Sequence, residues 1–241
     1  MCGIVGIVAK RDAGFYHTTV DLFRQMLIAD SLRGEDSTGA FVVNKKNTVR
    51  LIKSATTPNY LFETKNWSSF AQAVVDKGQI IVGHNRKATI GSVSRETAHP
   101  FYEKEIVLVH NGTISNKEDF NKEVEVDSHA ICHAIVDKGY KETLKAIDGA
   151  FALAWYNLND RSFNLVRNDN RPLAYADTED FFVFASEGMM LDWLLDRNGL
   201  KVKDKIEELE PEKLLRITLD KSFKMEIEGV EVKKFLPIAT N

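Results

Sequence analysis

Apolar residues along the chain recur in two rhythms, and the switches between them mark its elements. Residues 2–10 form an apolar run of strand length, broken by Gly3 and Gly6, where close backbone approach is expected. Over 16–32 the period becomes helical, with Val20, Phe23, Leu27 and Ile28 on one face, and Arg33-Gly34 ends it. Residues 39–43 and 48–54 read as a hairpin turning over 44–47. Trp67, Phe70, Val74 and Val75 mark a second helix that stops before Gly78, and 79–84 is a buried strand. Residues 86–99 carry Thr, Ser and Gly in a connection longer than most, which points to a lid.

Another buried strand over 105–110 opens into Asn111-Gly112, and Ser115-Asn116-Lys117-Glu118 has the capping-box pattern of a short helix. Helices follow over 128–136 and 141–147. Strands are expected at 150–157, 163–167, 173–176 and 181–185, then a helix at 189–195. The remainder alternates weakly as short strands, with Pro211 in a turn. This order lacks the regular strand–helix alternation of a doubly wound sheet. It predicts an α+β fold of two mainly antiparallel sheets covered by helices. No repeat or linker interrupts it, so residues 1–241 read as one domain.

Composition narrows the function without naming it. The chain has 241 residues, ample for a sizeable core, with ordinary hydrophobic (44%) and charged (28%) contents. A net charge of −3 and no long basic run argue against nucleic acid or an anionic membrane surface as partners. No apolar segment approaches the ~20 residues of a membrane span. The start lacks the basic and apolar regions of a secretory signal. Cys2 and Cys132 are too few for a disulfide framework, so a reducing, cytoplasmic compartment is expected.

The opening Met-Cys-Gly-Ile-Val-Gly admits two readings. One is a buried first strand with a small apolar cysteine. In the other, removal of Met1 leaves a thiol and a free α-amine on one residue, a nucleophile beside its own base. Polar, glycine-containing clusters later in the chain bear on the choice: 33–39 (RGEDSTG), 83–91 (GHNRKATIG), 109–114 (VHNGTI) and 126–129 (VDSH). Singly, each reads as a turn. His129 and His133 lie four apart with Cys132 between them, a spacing able to hold a metal, but no third ligand stands out in the sequence and no metal is expected.

In this order behind the cysteine, the clusters resemble the glutaminase domain of the class II glutamine amidotransferases, N-terminal-nucleophile enzymes that include glutamine–fructose-6-phosphate aminotransferase. The likeness also takes in Ala98-His99-Pro100-Phe101 and Ala185-Ser186-Glu187, so it runs from residue 2 to about 187. It implies a four-layer αββα sandwich. It implies hydrolysis of L-glutamine to glutamate and ammonia through a γ-glutamyl thioester on Cys2, whose α-amine accepts the thiol proton through water. Asn111 and Gly112 match the family's oxyanion hole. Arg86 matches the clamp on the glutamine α-carboxylate and Asp127 the acid that receives the α-ammonium. Arg33 and Gly34 match residues that shape the pocket, and Thr89 and His99 fall on loop positions near glutamine. No cofactor is implied.

Three departures stand out. Lys87 replaces an aromatic residue common after the clamp arginine, and Ile90 stands where some members carry His, both in the loop that closes over glutamine. Pro211-Glu212 replaces a Pro-Gly turn. Family members usually continue into a synthase domain, which residues 1–241 do not include, so a separate synthase partner receiving the ammonia is expected. A hydrolase of another γ-glutamyl compound and a non-catalytic regulatory relative are the alternatives.

Overall fold

The structure is a computed structural model that describes residues 1–10, 14–219 and 222–235. Among them the strands form two antiparallel sheets. The first contains β1 (Gly3–Ala9), β2 (Ser37–Asn44), β3 (Val49–Ser54), β4 (Gly78–Arg86), β9 (Ala174–Asp177), β10 (Phe181–Ala185) and β11 (Glu207–Glu208), in the order β11-β9-β10-β1-β4-β2-β3. The second orders β13 (Lys224–Gly229), β12 (Lys213–Thr218), β8 (Ser162–Arg167), β7 (Gly149–Asn157), β6 (Ile106–Ile114) and β5 (Phe101–Glu103). Helices α1 (His17–Asp30), α2 (Pro58–Phe62), α3 (Lys65–Lys77) and α7 (Gly188–Arg197) cover the first sheet. Helices α5 (Asp127–Lys138) and α6 (Tyr140–Ala146) cover the second, with α4 (Lys117–Phe120) against α5.

Strand alternation sorts the core into three apolar layers. Val5 and Ile7 of β1 pack with Phe23 and Leu27 of α1 and with Trp67 and Phe70 of α3. Ile4 and Val8 face the other way and meet Val107 and Val109 of β6 between the sheets. Leu108 and Leu153 face outward again and meet Ile131 and Ile135 of α5. Each fully buried side chain of this size contributes roughly 1.5–3 kcal/mol, so the alternation also fixes strand register. The expected αββα layering is present.

Several local expectations are corrected. Asn111-Gly112 is not a turn: β6 runs on to Ile114, with Asn111 opposite Ala152 and Gly112 opposite Phe151. Ser37 and Thr38 likewise extend β2 ahead of Gly39, and Asn85 and Arg86 extend β4 beyond His84, paired with each other across the ladder. The Ser115–Glu118 capping box does not form. The short helix starts at Lys117, while the Ser115 hydroxyl donates to the Asp148 carbonyl (2.9 Å) and Asn116 Oδ1 accepts from the Asp148 amide (2.9 Å). Those polar side chains tie the end of β6 to the start of β7 instead of capping a helix. Helix α2 and strand β5 lacked a periodic signal because each is too short to display one.

Candidate active site

Cys2, just before β1, shares the parity of Ile4 and Val8, so its side chain faces the layer between the sheets. Arg86 and His84 on β4 share the parity of Ile80 and Val82 and face the same layer; Asn111 on β6 shares that of Val107 and Val109 and faces it from the opposite sheet. Three of the polar clusters are thus strand ends at one edge of the sandwich, and the fourth, 126–129, opens α5. A small cleft there is lined by Cys2, Arg86, Thr89, His99, Gly112 and Asp127, together with Lys87, Ile90 and His110. Larger hollows lie elsewhere among the described residues, one of them beside β3 and lined by Arg50, Lys53 and Arg95.

Cys2 is 8% exposed, whereas Met1 before it is 66% exposed. Its Sγ accepts from the Lys87 amide at 3.3 Å and lies 3.4 Å from the Lys87 carbonyl oxygen. Burial pushes the thiol pKa up, against a smaller opposing effect of the Lys87 amide. Arg33 Nε donates to the Cys2 carbonyl at 2.9 Å, and its Nη1 pairs with Glu187. Gly34 lies so close to Arg86 and Lys87 that a Cβ would come within 2.5 Å of the Arg86 carbonyl carbon. Both residues therefore support the chain around Cys2 rather than line the cleft.

Asn111 is 1% exposed, and neither its amide nitrogen nor its amide oxygen finds a hydrogen-bond partner among the described residues. A buried amide left unpaired costs about 1–3 kcal/mol, so such a group marks a site shaped for something other than stability. Gly112 beside it admits no side chain: a Cβ would stand 2.0 Å from the Ala150 carbonyl oxygen and 2.5 Å from His110 Nε2. Asp127 opens α5, its oxygens accepting from the Ile114 amide (3.1 Å) and the Ser128 amide (2.9 Å).

Arg86 is 2% exposed and its guanidinium reaches into the connection between β4 and β5. Nη1 donates to the Ser92 carbonyl (2.7 Å) and to Thr97 Oγ1 (3.1 Å), and Nη2 to the Ile90 carbonyl (2.5 Å). Lys53 Nζ grips the far end of the same connection through the Ala98 carbonyl (3.0 Å), and Thr89 Oγ1 meets Thr113 Oγ1 at 3.1 Å. Lys87 is tied outward, its Nζ 3.3 Å from Asp36 Oδ1.

Beneath the cleft lie groups that received no role from the sequence. His84 Nε2 is 2.9 Å from the His110 carbonyl, which can only accept, so Nε2 carries the proton. His84 stacks on His99 at 3.7 Å, and His110 Nδ1 meets Ser128 Oγ at 2.9 Å. Burial pushes His84 down to about 3, His99 well below its ordinary value, and His110 down as well, so all three are neutral near pH 7. On the other side of β1, Asp30 is fully buried and takes the Asn85 amide at 2.9 Å. Burial raises its pKa to about 7. A carboxylate on the apolar face of α1, one turn after Met26 and Leu27, is the signal that exposes it in the sequence. Ser186, singled out only as part of a motif, anchors β1 by accepting the Ile4 amide on its Oγ at 2.9 Å.

These buried groups give stability a pH dependence of known sign. Unfolding returns the histidines to a pKa near 6.5, so their contribution is complete above that pH and is lost as pH falls toward their lower folded values. Asp30 acts oppositely. Its contribution is complete below the ordinary carboxylate value and is lost as pH rises through about 7. Urea denaturation is expected to show stability falling on the acid side of pH 6.5. Asp30→Asn is expected to gain on the wild-type protein by a few kcal/mol between pH 5 and 8; parallel curves for the two would refute the assignment.

A family model for the glutamine amidotransferase domain matches residues 84–192, which include Arg86, Asn111, Gly112 and Asp127. Over these residues the chain is similar to glutamine amidotransferase domains. It is 28% identical to the glutamine–fructose-6-phosphate aminotransferase of Streptococcus mutans over 97% of the chain and 38% of that protein. With the corresponding protein of Bacillus subtilis it is 26% identical over 95% of the chain and 38% of the relative. The chain thus spans about two-fifths of the length of the curated relatives it matches. In fold, the domain is similar to glutamine phosphoribosylpyrophosphate amidotransferase from B. subtilis (TM-score 0.67, 22% identity, 93% of this chain and 49% of that one). It also superposes on an allosteric regulatory enzyme of purine biosynthesis (TM-score 0.71, 22% identity, 96% and 50%). Among the described residues, no helix of the domain is long and apolar enough to cross a membrane.

Proposed function

We propose that the domain hydrolyses L-glutamine to glutamate and ammonia, with Cys2 as nucleophile and the ammonia passed to an acceptor-using synthase domain or subunit. The observation that carries this reading is the convergence of Cys2, Gly112, Arg86 and Asp127 on one cleft, with Asn111 next to Gly112 on β6. Removal of the exposed Met1 frees the Cys2 α-amine, whose reference pKa of about 7.7–8.0 leaves a usable neutral fraction near pH 7. A thiol whose pKa is raised by burial needs such a base.

The Cys2 sulfur attacks the side-chain carbonyl carbon of glutamine as the thiol proton passes through water to the amine. Negative charge gathers on the carbonyl oxygen, where the Asn111 amide and the Gly112 N–H donate. Collapse breaks the C–N bond, the amine returns the proton to the leaving ammonia, and water hydrolyses the γ-glutamyl thioester. Asp127 at the start of α5 receives the α-ammonium. Arg86 receives the α-carboxylate on the same guanidinium that holds the Ser92 and Ile90 carbonyls, so substrate binding and lid position are coupled through one side chain. Thr89 and His99 bound the glutamine cleft beside Ile90. A domain that works through a free thiol belongs in a reducing, cytoplasmic compartment.

Incubation of the purified chain with glutamine tests the proposal, with glutamate and ammonia quantified and the protein's intact mass measured. The expected result is equimolar glutamate and ammonia from protein lacking Met1. Turnover of γ-glutamyl peptides but not of glutamine, or activity in protein that retains Met1, would overturn it.

A further inference from the structure

A second cluster of ligating side chains lies outside the cleft. His129 and His133, one turn apart on α5, direct their Nε2 atoms at the same oxygen of Glu103, at 2.7 and 3.6 Å. One donor atom from each of the three residues lies within 4.8 Å of the others. Glu103 is the third donor that the sequence did not reveal, because it arrives on β5, a strand too short to be read from periodicity. The side chains are 27–29% exposed, so solvent reaches the cluster while its geometry is held. Phe101 stacks on the His129 ring at 4.8 Å and 16°, and the antiparallel pairing of Glu103 with Ile106 fixes the strand that carries the carboxylate.

We propose that Glu103, His129 and His133 form a binding site for a borderline divalent transition-metal ion of the zinc class, with remaining coordination positions open to water. Two imidazole nitrogens and one carboxylate oxygen are donors this class of ion prefers. Metal–ligand bonds of about 2.0–2.2 Å place tetrahedral donors roughly 3.3 Å apart, and the two separations from Glu103, 2.7 and 3.6 Å, bracket that spacing. A hydrogen bond accounts for His129 against Glu103. His133 Nε2, at 3.6 Å, lies beyond hydrogen-bond reach of the same oxygen, and an ion among the three donors accounts for its convergence. Cys132 between the histidines takes no part: its Sγ lies within the core, 3.7 Å from the Ile106 carbonyl oxygen. An ion here clamps the β5–β6 hairpin to α5, the helix that begins at Asp127.

The test uses the full chain carrying Cys2→Ala, which removes the Cys2 thiol of the cleft as a competing ligand. Calorimetric titration with Zn2+ at pH 7.5 is expected to give one ion per chain with a dissociation constant in the micromolar range or below. Glu103→Gln and His133→Ala are each expected to weaken it at least about tenfold while leaving the circular dichroism spectrum unchanged. In the Cys2→Ala chain itself, the imidazole resonances of two histidines are expected to move with the first equivalent of Zn2+. Absence of saturable binding below about 100 µM, affinity unchanged in His133→Ala, or histidine resonances that do not move would each overturn the site. None of these readouts depends on glutamine turnover.

Discussion

Replacing Cys2 with alanine is expected to abolish glutamate release from glutamine while leaving the domain folded and able to bind the amino acid. Removal of a catalytic nucleophile elsewhere leaves only the ~10³–10⁴-fold acceleration over water supplied by the oxyanion hole and binding groups. For a poor electrophile such as a primary amide, that residue falls below routine detection. The stability cost is expected to be small, because Sγ makes only long contacts, 3.3 and 3.4 Å, with the Lys87 backbone. Calorimetry with glutamine should show binding retained, since Arg86 and Asp127 are untouched. Glutamate release by the Cys2→Ala protein at a rate near wild type would remove the thiol from the mechanism.

Asn111→Ala is expected to lower kcat by about 10²–10³, with KM little changed, the pattern of a group that acts on charge formed only in the transition state. Stability supplies an independent readout. Both polar atoms of the Asn111 amide are buried without partners among the described residues, so deleting them removes a desolvation cost instead of breaking a bond. The melting temperature should therefore hold or rise as activity falls. A residue kept for structure gives the reverse: a lower melting temperature and kcat within a few-fold of wild type. That outcome would take Asn111 out of the oxyanion hole.

Both variants leave the 86–99 connection intact, and that connection carries two of the departures from the family pattern, Lys87 and Ile90. Lys87 reaches outward to Asp36 while its backbone amide and carbonyl flank Cys2. Ile90 lines the cleft by its side chain and holds Arg86 by its carbonyl. The contacts that hold this connection are thus largely backbone carbonyls gathered by Arg86 and Lys53. Such contacts tolerate substitution at positions 87 and 90, because a carbonyl is present whatever the side chain.

The sequence by itself determined the layers and supplied the candidate chemistry. Continuous runs of Val, Ile and Phe specify strands buried on both faces, and Phe23, Leu27, Trp67 and Phe70 specify the helices that cover them, because burial of those faces dominates the energetics. It also yielded the ordered polar clusters from Cys2 to Glu187, whose side chains are incompatible with a dry core. Tertiary structure decided what those clusters are. Glycine and asparagine marked Asn111-Gly112 as a turn, yet the ladder to β7 holds them extended, since local turn preference is weaker than a continuous row of strand hydrogen bonds. Only the packing of two sheets brings Asn111 to the layer that Cys2 faces. Only the arrival of β5 beside α5 gives His129 and His133 a carboxylate. Contacts between residues remote in the chain leave no periodic trace in it, and the geometry of both sites consists of such contacts. The run Met-Cys-Gly-Ile-Val-Gly is a buried strand and also the proposed source of the nucleophile, two readings that alternation reconciles by turning Ile4 and Cys2 toward the same layer.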